Sequence, residues 1–220
     1  MIQVIDYKAG NLTSVVKALH HLGANVDITQ DPSAVLAADK IVLPGVGHFQ
    51  STQLLTDLGL TAAVREAIKR GTPFLGICVG LQWLYEGSTE APDTPGLGHF
   101  PGQCERFPAT IPNTQPALHD SHASDHTLTT EIALKSPHVG WNGLDKIHPN
   151  SRLMRGVAEG SFVYFTHSWR ALESTDTAAT THYGGPFTAA AERENVMGVQ
   201  FHPEKSSETG LLILRNFLEL

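Results

Sequence analysis

A cysteine flanked by glycines is the residue of this 220-residue chain best suited to nucleophilic chemistry. It lies in the pattern Gly76-x-Cys78-x-Gly80, directly after an apolar run from Phe74 to Ile77 that has the length of a short buried strand. The apolar residues Leu81, Trp83 and Leu84 then begin a helical pattern. This order predicts a nucleophile elbow with sulfur in place of the more familiar serine oxygen. The N-terminal N–H groups of the new helix would favour the thiolate.

A histidine near the end of the chain is the candidate base for this sulfur. His202 follows a second apolar strand, Val196 to Phe201, and Glu204 lies two residues further on. Residues two apart in an extended segment project to the same side, so Glu204 is expected to contact the imidazole and fix its tautomer. The chain therefore carries a nucleophile, a base and an orienting carboxylate in the order Cys78, His202, Glu204.

Several motifs together resemble a known family. The segment Gly76–Gln82 with His202-Pro203-Glu204 is similar to the class I (triad) glutamine amidotransferases. Further segments make the chain similar to the glutaminase subunits of imidazole glycerol phosphate synthase, an enzyme of histidine biosynthesis. These segments are Pro44-Gly45-Val46-Gly47, Pro137-His138-Val139-Gly140-Trp141-Asn142, Tyr164-Phe165-Thr166-His167-Ser168 and Lys205-Ser206-Ser207. The resemblance covers nearly the whole chain, from Ile5 to the last helix.

The resemblance implies an enzyme that needs no cofactor and no metal. It would hydrolyse L-glutamine to glutamate and ammonia, and would pass the ammonia to a cyclase subunit in a heterodimer. That cyclase would make imidazole glycerol phosphate and the aminoimidazole carboxamide ribotide. Backbone N–H groups, one of Val79 after the nucleophile and one near Val46, would stabilise the oxyanion. The glycines around Val46 would permit a peptide flip that switches this donor.

By resemblance, two further sets of residues have expected roles. Trp169 stands where the family usually has tyrosine, so a hydroxyl contact would be lost there. The residues expected to bind glutamine are Gly47, Gln82, Glu90, His167 and Ser168, and those expected at the partner interface are Trp141, Tyr164 and Lys205.

Other interpretations remain open at the level of sequence. The chain could be another triad glutaminase, such as the partner of anthranilate synthase or of pyridoxal phosphate synthase. Those families, however, lack the combination of the segments Pro137–Asn142 and Lys205–Ser207. A non-catalytic relative on the same fold is a third possibility, which the intact triad disfavours. Trp141 and Tyr164 taken alone would be core aromatics, and His138 and His167 are expected to be structural, hydrogen-bonded histidines.

Composition limits the class of protein. A chain of 220 residues with 41% hydrophobic residues suits one α/β domain. The net charge of −7 provides no basic surface for nucleic acid, and no apolar run approaches the roughly 20 residues that cross a bilayer. Two cysteines without framework spacing indicate a reducing compartment, with Cys104 as a buried inert thiol. No basic leader precedes the first strand, so a cytoplasmic location is expected.

Alternating patterns along the chain predict the fold. Strands are expected at Ile2–Ile5, Val26–Thr29, Lys40–Leu43 and at the cysteine strand, with helices between them. This alternation predicts an α/β fold with a mostly parallel, doubly wound central sheet flanked by helices, with antiparallel additions after residue 98. The whole of 1–220 is expected to form a single amidotransferase domain.

One segment, 108–136, departs from the family pattern as an atypical surface insertion. It contains three histidines and two aspartates within a few residues of each other. No strand or helix fixes them as a tetrahedral ligand set, so a surface loop rich in proline, serine and histidine is the favoured interpretation, with metal binding as the alternative. The five candidate ligands are His119, Asp120, His122, Asp125 and His126.

Overall fold

The central feature of the computed structural model is an eight-stranded sheet with the order β10-β13-β14-β15-β4-β3-β1-β2. The structure describes residues 1–8, 12–112 and 131–220. The strands of the first half are β1 Ile2–Ile5, β2 Val26–Thr29, β3 Lys40–Gly45, β4 Phe74–Cys78, β5 Gly87–Ser88, β6 Gln103–Arg106 and β7 Thr110–Pro112. The strands of the second half are β8 Glu131–Ala133, β9 His138–Gly143, β10 Lys146–Ile147, β11 Phe162–His167, β12 Trp169–Arg170, β13 Thr177–His182, β14 Pro186–Arg193 and β15 Val196–Val199.

The helices connect the parallel strands. Short 3-10 helices at Phe49–Thr52 and Pro203–Lys205 precede α3 and α6, respectively. The α-helices are α1 Leu12–His21, α2 Pro32–Leu36, α3 Gln53–Asp57, α4 Leu60–Lys69, α5 Val79–Leu84 and α6 Ser207–Leu218.

The direction of winding reverses at β1. The connection through α1 leads to β2 on one side of β1, whereas α2 and then α3 and α4 lead to β3 and β4 on the other side. Because crossovers between parallel strands are right-handed, α1 lies on one face of the sheet and α2 on the opposite face with α4. The contact between α2 and α4 agrees with this arrangement. The doubly wound prediction is therefore confirmed.

The sheet changes character along its width. The strands β2, β1, β3, β4 and β15 are parallel, and β14, β13 and β10 continue antiparallel from β15. Every residue of β1, β4 and β15 is buried, as expected for strands covered on both faces. The predicted antiparallel additions after residue 98 are confirmed, although β15 itself returns to a parallel position beside β4.

Most predicted elements are confirmed, and the differences lie at their ends. The last helix begins at Ser207 and ends at Leu218. The strand before His202 ends at Val199, two residues earlier than predicted, where the chain turns away from the sheet. The helical residues between Phe49 and Asp57 have no counterpart in the predicted elements, because they form two short pieces without a sustained helical period.

Within the described parts of the chain, three smaller sheets lie outside the central one. A pair of strands, β9 and β11, is antiparallel and carries exposed aromatic side chains. A three-stranded sheet, β12-β6-β5, holds residues 169–170 against residues 105–106. The pair β7 and β8 is also antiparallel, with Pro112 opposite Glu131.

The central part of the insertion, 113–130, lies outside the described residues, and so do its five candidate metal ligands. At its two ends, β7 and β8 are in register, so residues 112 and 131 are neighbours. Across 1–8, 12–112 and 131–220, no group of three or more His, Cys, Asp or Glu side chains is arranged to hold a metal ion.

Because the ends of the insertion are paired, residues 113–130 can be replaced by a short Gly/Ser turn. We expect this replacement to change the rate of the glutamine hydrolysis that the sequence predicts by no more than a few-fold, since connections between paired strands tolerate changes in length. Thermal melting with and without zinc would test the metal alternative. A zinc-dependent rise in the melting temperature of the full chain, absent from the shortened chain, would overturn the metal-free interpretation.

Candidate active site

The predicted strand–turn–helix geometry around Cys78 is confirmed. Cys78 is the last residue of β4 and the N-cap of α5, and its backbone has φ 56° and ψ −109°. Left-handed φ values are costly for a side chain with a Cβ and occur where the surrounding structure enforces them. The turn directs the buried thiol away from the end of the strand, as in a nucleophile elbow.

The two glycines of the elbow are required by close packing. A Cβ on Gly76 would collide with the carbonyl of Gly80, and a Cβ on Gly80 would collide with the carbonyl of Leu43 in the neighbouring strand. Strand β4, helix α5 and strand β3 can therefore approach each other only with glycine at both positions. This packing holds the strained conformation of Cys78.

The sheet brings His202 to the cysteine. Strand β15 is parallel to β4, with Val199 opposite Ile77, so the residues that follow β15 lie beside Cys78. His202 is buried, and its Nδ1 is 2.8 Å from Oε1 of Glu204. The contact predicted between these two residues is confirmed, but the reason given for it was wrong. Glu204 belongs to a 3-10 helix, Pro203–Lys205, and that turn brings the carboxylate back to the ring.

The electrostatics of His202 favour its protonated form. Burial lowers the pKa of the imidazole, but contacts with Cys78 and Glu204 outweigh this effect and raise its pKa to about 10. Among the described residues, Nε2 has no hydrogen-bond partner of regular geometry, although the Cys78 side chain is near enough to influence its charge.

A cavity of about 250 Å³ opens beside the cysteine. It is lined by every residue predicted to bind glutamine or to form the oxyanion hole. His202 and Glu204 do not line it. The lining residues are Val46, Gly47, Cys78, Val79, Gln82, Glu90, Pro137, Thr166, His167, Ser168 and Trp169.

The two candidate oxyanion donors lie on adjacent turns. Gly45 at the end of β3 is directly opposite Cys78 in the sheet, so Val46 and Val79 are the next residues on the two chains. Gly47 then has φ 93°, a conformation that favours glycine. The two backbone segments thus leave the sheet side by side at the wall of the cavity.

The side chain of Glu90 is held in place by the backbone at the start of the 3-10 helix Phe49–Thr52. Its Oε2 accepts a hydrogen bond from the backbone N–H of Phe49 at 2.9 Å, and its side chain is largely buried. One oxygen of the carboxylate is thereby fixed, and the group lines the cavity where it can receive a positively charged amino group.

The backbone carbonyl of Trp169 orients the side chains around it. A carbonyl can only accept, so the two groups in contact with it must donate. These are Nε2 of Gln82 at 2.9 Å and Nδ1 of His167 at 2.8 Å. The amide nitrogen of Gln82 also donates to Oε1 of Gln200 at 3.1 Å, which leaves the carbonyl oxygen of Gln82 for other partners.

The tautomers of two buried histidines follow from the same carbonyl. With its proton on Nδ1, His167 has a lone pair on Nε2. This lone pair accepts a hydrogen bond from Nδ1–H of His138, 3.3 Å away. His138 must then accept at its own Nε2, where Asn142 approaches to 3.5 Å. Burial lowers the pKa of His138 to about 4 and that of His167 to about 3, so both are neutral. The prediction that they are structural, hydrogen-bonded histidines is confirmed.

The three predicted interface residues form one cluster, the exposed cluster, in which Trp141 and Lys205 are exposed and Tyr164 is half-buried. Trp141 and Tyr164 are opposite each other on β9 and β11, with ring centroids 6.0 Å apart, and Nζ of Lys205 is 5.9 Å from the Tyr164 ring centroid. Trp141 is 51% exposed, so it is not the core aromatic that it would be taken for in isolation. The backbone N–H of His202 donates to the Tyr164 carbonyl at 2.9 Å, which links this cluster to the catalytic histidine candidate.

Sequence reasoning missed several residues of the site. Gln200 is fully buried and its Nε2 is 3.7 Å from Sγ of Cys78. A polar residue within the apolar run before His202 was the available signal. Tyr7 is also buried, and its hydroxyl lies against Gly45 without a hydrogen-bond partner among the described residues. Cys104 is buried and unpaired, as predicted, and burial raises the pKa of its thiol.

Comparison with known proteins agrees with the fold. The family model for class-I glutamine amidotransferases matches residues 3–220, and the chain belongs to this family. A solved glutamine amidotransferase structure has the same fold, with a TM-score of 0.70 at 18% identity over 99% of this chain and 97% of that one. PurLQS from Thermotoga maritima superposes with a TM-score of 0.68 at 16% identity, covering 99% and 97%.

Within the family, sequence relatives narrow the assignment to the imidazole glycerol phosphate synthase subunit HisH group. The HisH subunit of Moorella thermoacetica is 42% identical, with 100% of this chain and 94% of that protein aligned. That of Herpetosiphon aurantiacus is also 42% identical, with the same coverage. The predicted family, and with it the function as a glutamine amidotransferase of this group, is confirmed. Within the described residues, no helix is long and apolar enough to span a bilayer.

The neutral histidine pair predicts acid sensitivity. Because the folded pKa values of His138 and His167 lie below the unfolded value of 6.5, the unfolded chain binds more protons than the folded chain below pH 6.5. The free energy of unfolding should therefore fall between pH 6.5 and 4, by up to about 1.4 kcal/mol per pH unit for each histidine.

Urea unfolding of wild type and His138→Phe at several pH values would measure this effect. His138→Phe should be less stable than wild type at pH 7, because it lacks the hydrogen bonds of the imidazole. The difference in the free energy of unfolding between the two proteins should become smaller as the pH falls to 4. Tyr183→Phe alters the ring that is stacked on His138 at a centroid distance of 4.0 Å, but it removes no imidazole. Its difference from wild type in the free energy of unfolding should therefore stay constant with pH. A constant difference for His138→Phe would contradict the prediction.

Proposed function

We propose that the chain is the glutaminase subunit of imidazole glycerol phosphate synthase and that Cys78, His202 and Glu204 hydrolyse L-glutamine. The observation that carries this proposal is the strained Cys78 elbow beside the buried His202–Glu204 pair, at the wall of a cavity of about 250 Å³. The similarity to HisH subunits supports it. Histidine biosynthesis and two unpaired thiols are consistent with action in the cytoplasm.

The acylation step uses the thiolate and the imidazolium. The sulfur of Cys78 attacks the side-chain carboxamide carbon of glutamine, and the carbonyl electron pair moves to oxygen to give a tetrahedral intermediate. As the intermediate collapses, the C–N bond breaks and the imidazolium of His202 donates its proton to the departing nitrogen. Ammonia leaves, and the glutamyl group remains on Cys78 as a thioester. Glu204 holds the ring through Nδ1 and stabilises its charge.

The second half-reaction regenerates the thiolate. Neutral His202 takes a proton from a water molecule, whose oxygen bonds to the thioester carbon. The C–S bond then breaks, its electron pair returns to sulfur, and glutamate is released. In both steps the developing oxyanion is stabilised by the backbone N–H groups of Val79 and of the Val46 turn, whose loss typically costs about 3 kcal/mol per donor.

The cavity has groups that suit an α-amino acid. The carboxylate of Glu90 would bind the α-ammonium group, and the carbonyl oxygen of Gln82 is available because its amide nitrogen is already engaged. Gly47 and the backbone of His167 and Ser168 complete the wall where the remaining substrate groups would be held. Trp169 contributes its backbone carbonyl, and its indole donates to Thr89 at 3.2 Å.

The partner of this subunit would be the cyclase subunit, in a heterodimer. The exposed cluster of Trp141, Tyr164 and Lys205 would contact it. Aromatic residues flanked by a cation are typical of the centre of an interface. Because the backbone N–H of His202 donates a hydrogen bond to the carbonyl of Tyr164, this surface lies directly beside the proposed base. Ammonia released there would have a short path into the partner.

Replacing the nucleophile tests the proposal directly. Cys78→Ala should reduce glutamine hydrolysis by more than about 10³-fold, because no other group can form the thioester. The assembled synthase should still use added ammonia. His202→Ala should behave similarly, and Glu204→Gln should lose less, since the ring remains but is misoriented. Glutaminase activity retained by Cys78→Ala would refute the assignment.

Substitutions on the exposed cluster test the partner surface. We expect Trp141→Ala and Lys205→Ala to lower glutamine-dependent synthesis in the complex while ammonia-dependent synthesis survives. Ile28→Ala, which truncates a similarly exposed apolar side chain on β2, an edge strand of the central sheet, should leave both rates unchanged.

The isolated subunit should hydrolyse glutamine slowly until the substrate-loaded cyclase shifts the Gly45–Gly47 turn. High basal activity that the partner does not change would contradict this gating.

A further inference from the structure

Gln200 occupies a position that the register of the sheet fixes beside the nucleophile. It follows Val199, which is opposite Ile77, so Gln200 is the neighbour of Cys78. Its backbone N–H donates to the carbonyl of Ala189 at 2.8 Å, and the residue is fully buried. Gln200 and His202 are two residues apart and approach the same cysteine from the end of β15.

The orientation of the Gln200 amide follows from its neighbours. The nitrogen of Gln82 must face the Trp169 carbonyl, because that oxygen can only accept. The same nitrogen contacts Gln200 at 3.1 Å, so the atom of Gln200 in this contact is its oxygen, Oε1. The remaining amide nitrogen of Gln200 is thereby directed at Sγ of Cys78, 3.7 Å away.

We propose that Gln200 is a further catalytic residue of the glutaminase reaction, which donates an amide N–H to the sulfur of Cys78. A buried amide N–H needs an acceptor, since leaving it unpaired costs free energy. A thiolate in the buried site has the same need for donors, and among the described residues Nε2 of His202 makes no hydrogen bond of regular geometry to it. This inference rests on the proposed function, because it assumes that the sulfur is the reacting atom.

The contact acts whenever the sulfur carries negative charge. In the resting site it stabilises the thiolate and holds it in one position. In deacylation the C–S bond breaks and its electron pair returns to sulfur, so the same N–H stabilises the leaving group. Through Gln82, which lines the cavity, the donor is also connected to the part of the site that receives substrate.

The experiment measures alkylation of Cys78 by chloroacetamide in the full chain, followed by mass spectrometry of the Cys78 peptide. Gln200→Met keeps the approximate volume but removes the donor. Gln200→Glu keeps the shape and still accepts from Gln82, but directs a carboxylate oxygen at the sulfur. Gln3→Met is the matched control, because Gln3 is a buried glutamine on β1 of the same sheet, away from the site.

At a pH low enough for the thiolate fraction to limit the rate, we expect alkylation to slow about tenfold to a hundredfold in Gln200→Met, as for loss of a hydrogen bond to a charged group. It should slow further in Gln200→Glu and stay at the wild-type rate in Gln3→Met. In the complex, kcat should fall by a similar factor while ammonia-dependent synthesis is retained. The order of the two variants separates the donor role from packing, since a packing role would make methionine the worse substitution.

Wild-type alkylation rates in folded Gln200→Glu would overturn the proposal, and this variant decides alone if Gln200→Met does not fold. Faster alkylation in Gln200→Glu than in Gln200→Met would also overturn it. Failure of the broader functional assignment looks different. In that case Cys78→Ala would retain glutamine hydrolysis, whatever the alkylation rates of the Gln200 variants.

Discussion

The site depends on one backbone conformation, the left-handed φ of 56° at Cys78. A conformation of this kind typically costs about 1–3 kcal/mol in a residue with a Cβ and persists only where surrounding packing enforces it. Here Gly76, Gly80 and the carbonyl of Leu43 are packed so closely that the chain has no room to relax. The fully buried strand β4 therefore ends with its sulfur held outside the sheet, where other groups can reach it.

The groups that reach the sulfur come from the ends of neighbouring parallel strands. Strand β3 ends opposite Cys78 and leads into the Val46 turn, and β15 on the other side leads to Gln200 and His202. Sites of open α/β sheets lie at the carboxyl ends of the strands for this reason. The register of three strands thus sets the distances among the proposed nucleophile, the proposed base and the candidate oxyanion donors before any side-chain contact is considered.

A second constraint orients the polar groups around the cavity. The Trp169 carbonyl accepts from Gln82 and from His167, and it thereby fixes one chain of donors toward Cys78 through Gln200 and another toward β9 through His138. The histidines remain neutral because burial disfavours their charge. His202, also buried, has the opposite tendency because Glu204 and Cys78 stabilise its proton. The surroundings of each imidazole, and not the residue type, thus distinguish the structural histidines from the proposed base.

The sequence by itself determined the elbow, the candidate triad and the alternation of strands and helices, because these depend on local patterns: glycine spacing, apolar runs and helical periodicity. It also gave the histidine–glutamate pair, though not the 3-10 turn that forms it. Only the tertiary structure decided that β15 lies parallel to β4, that Gln200 contacts the sulfur, and that Trp141 is exposed beside Tyr164 and Lys205. These facts join residues more than 20 positions apart, and the pairing of such distant segments depends on packing that no local pattern encodes.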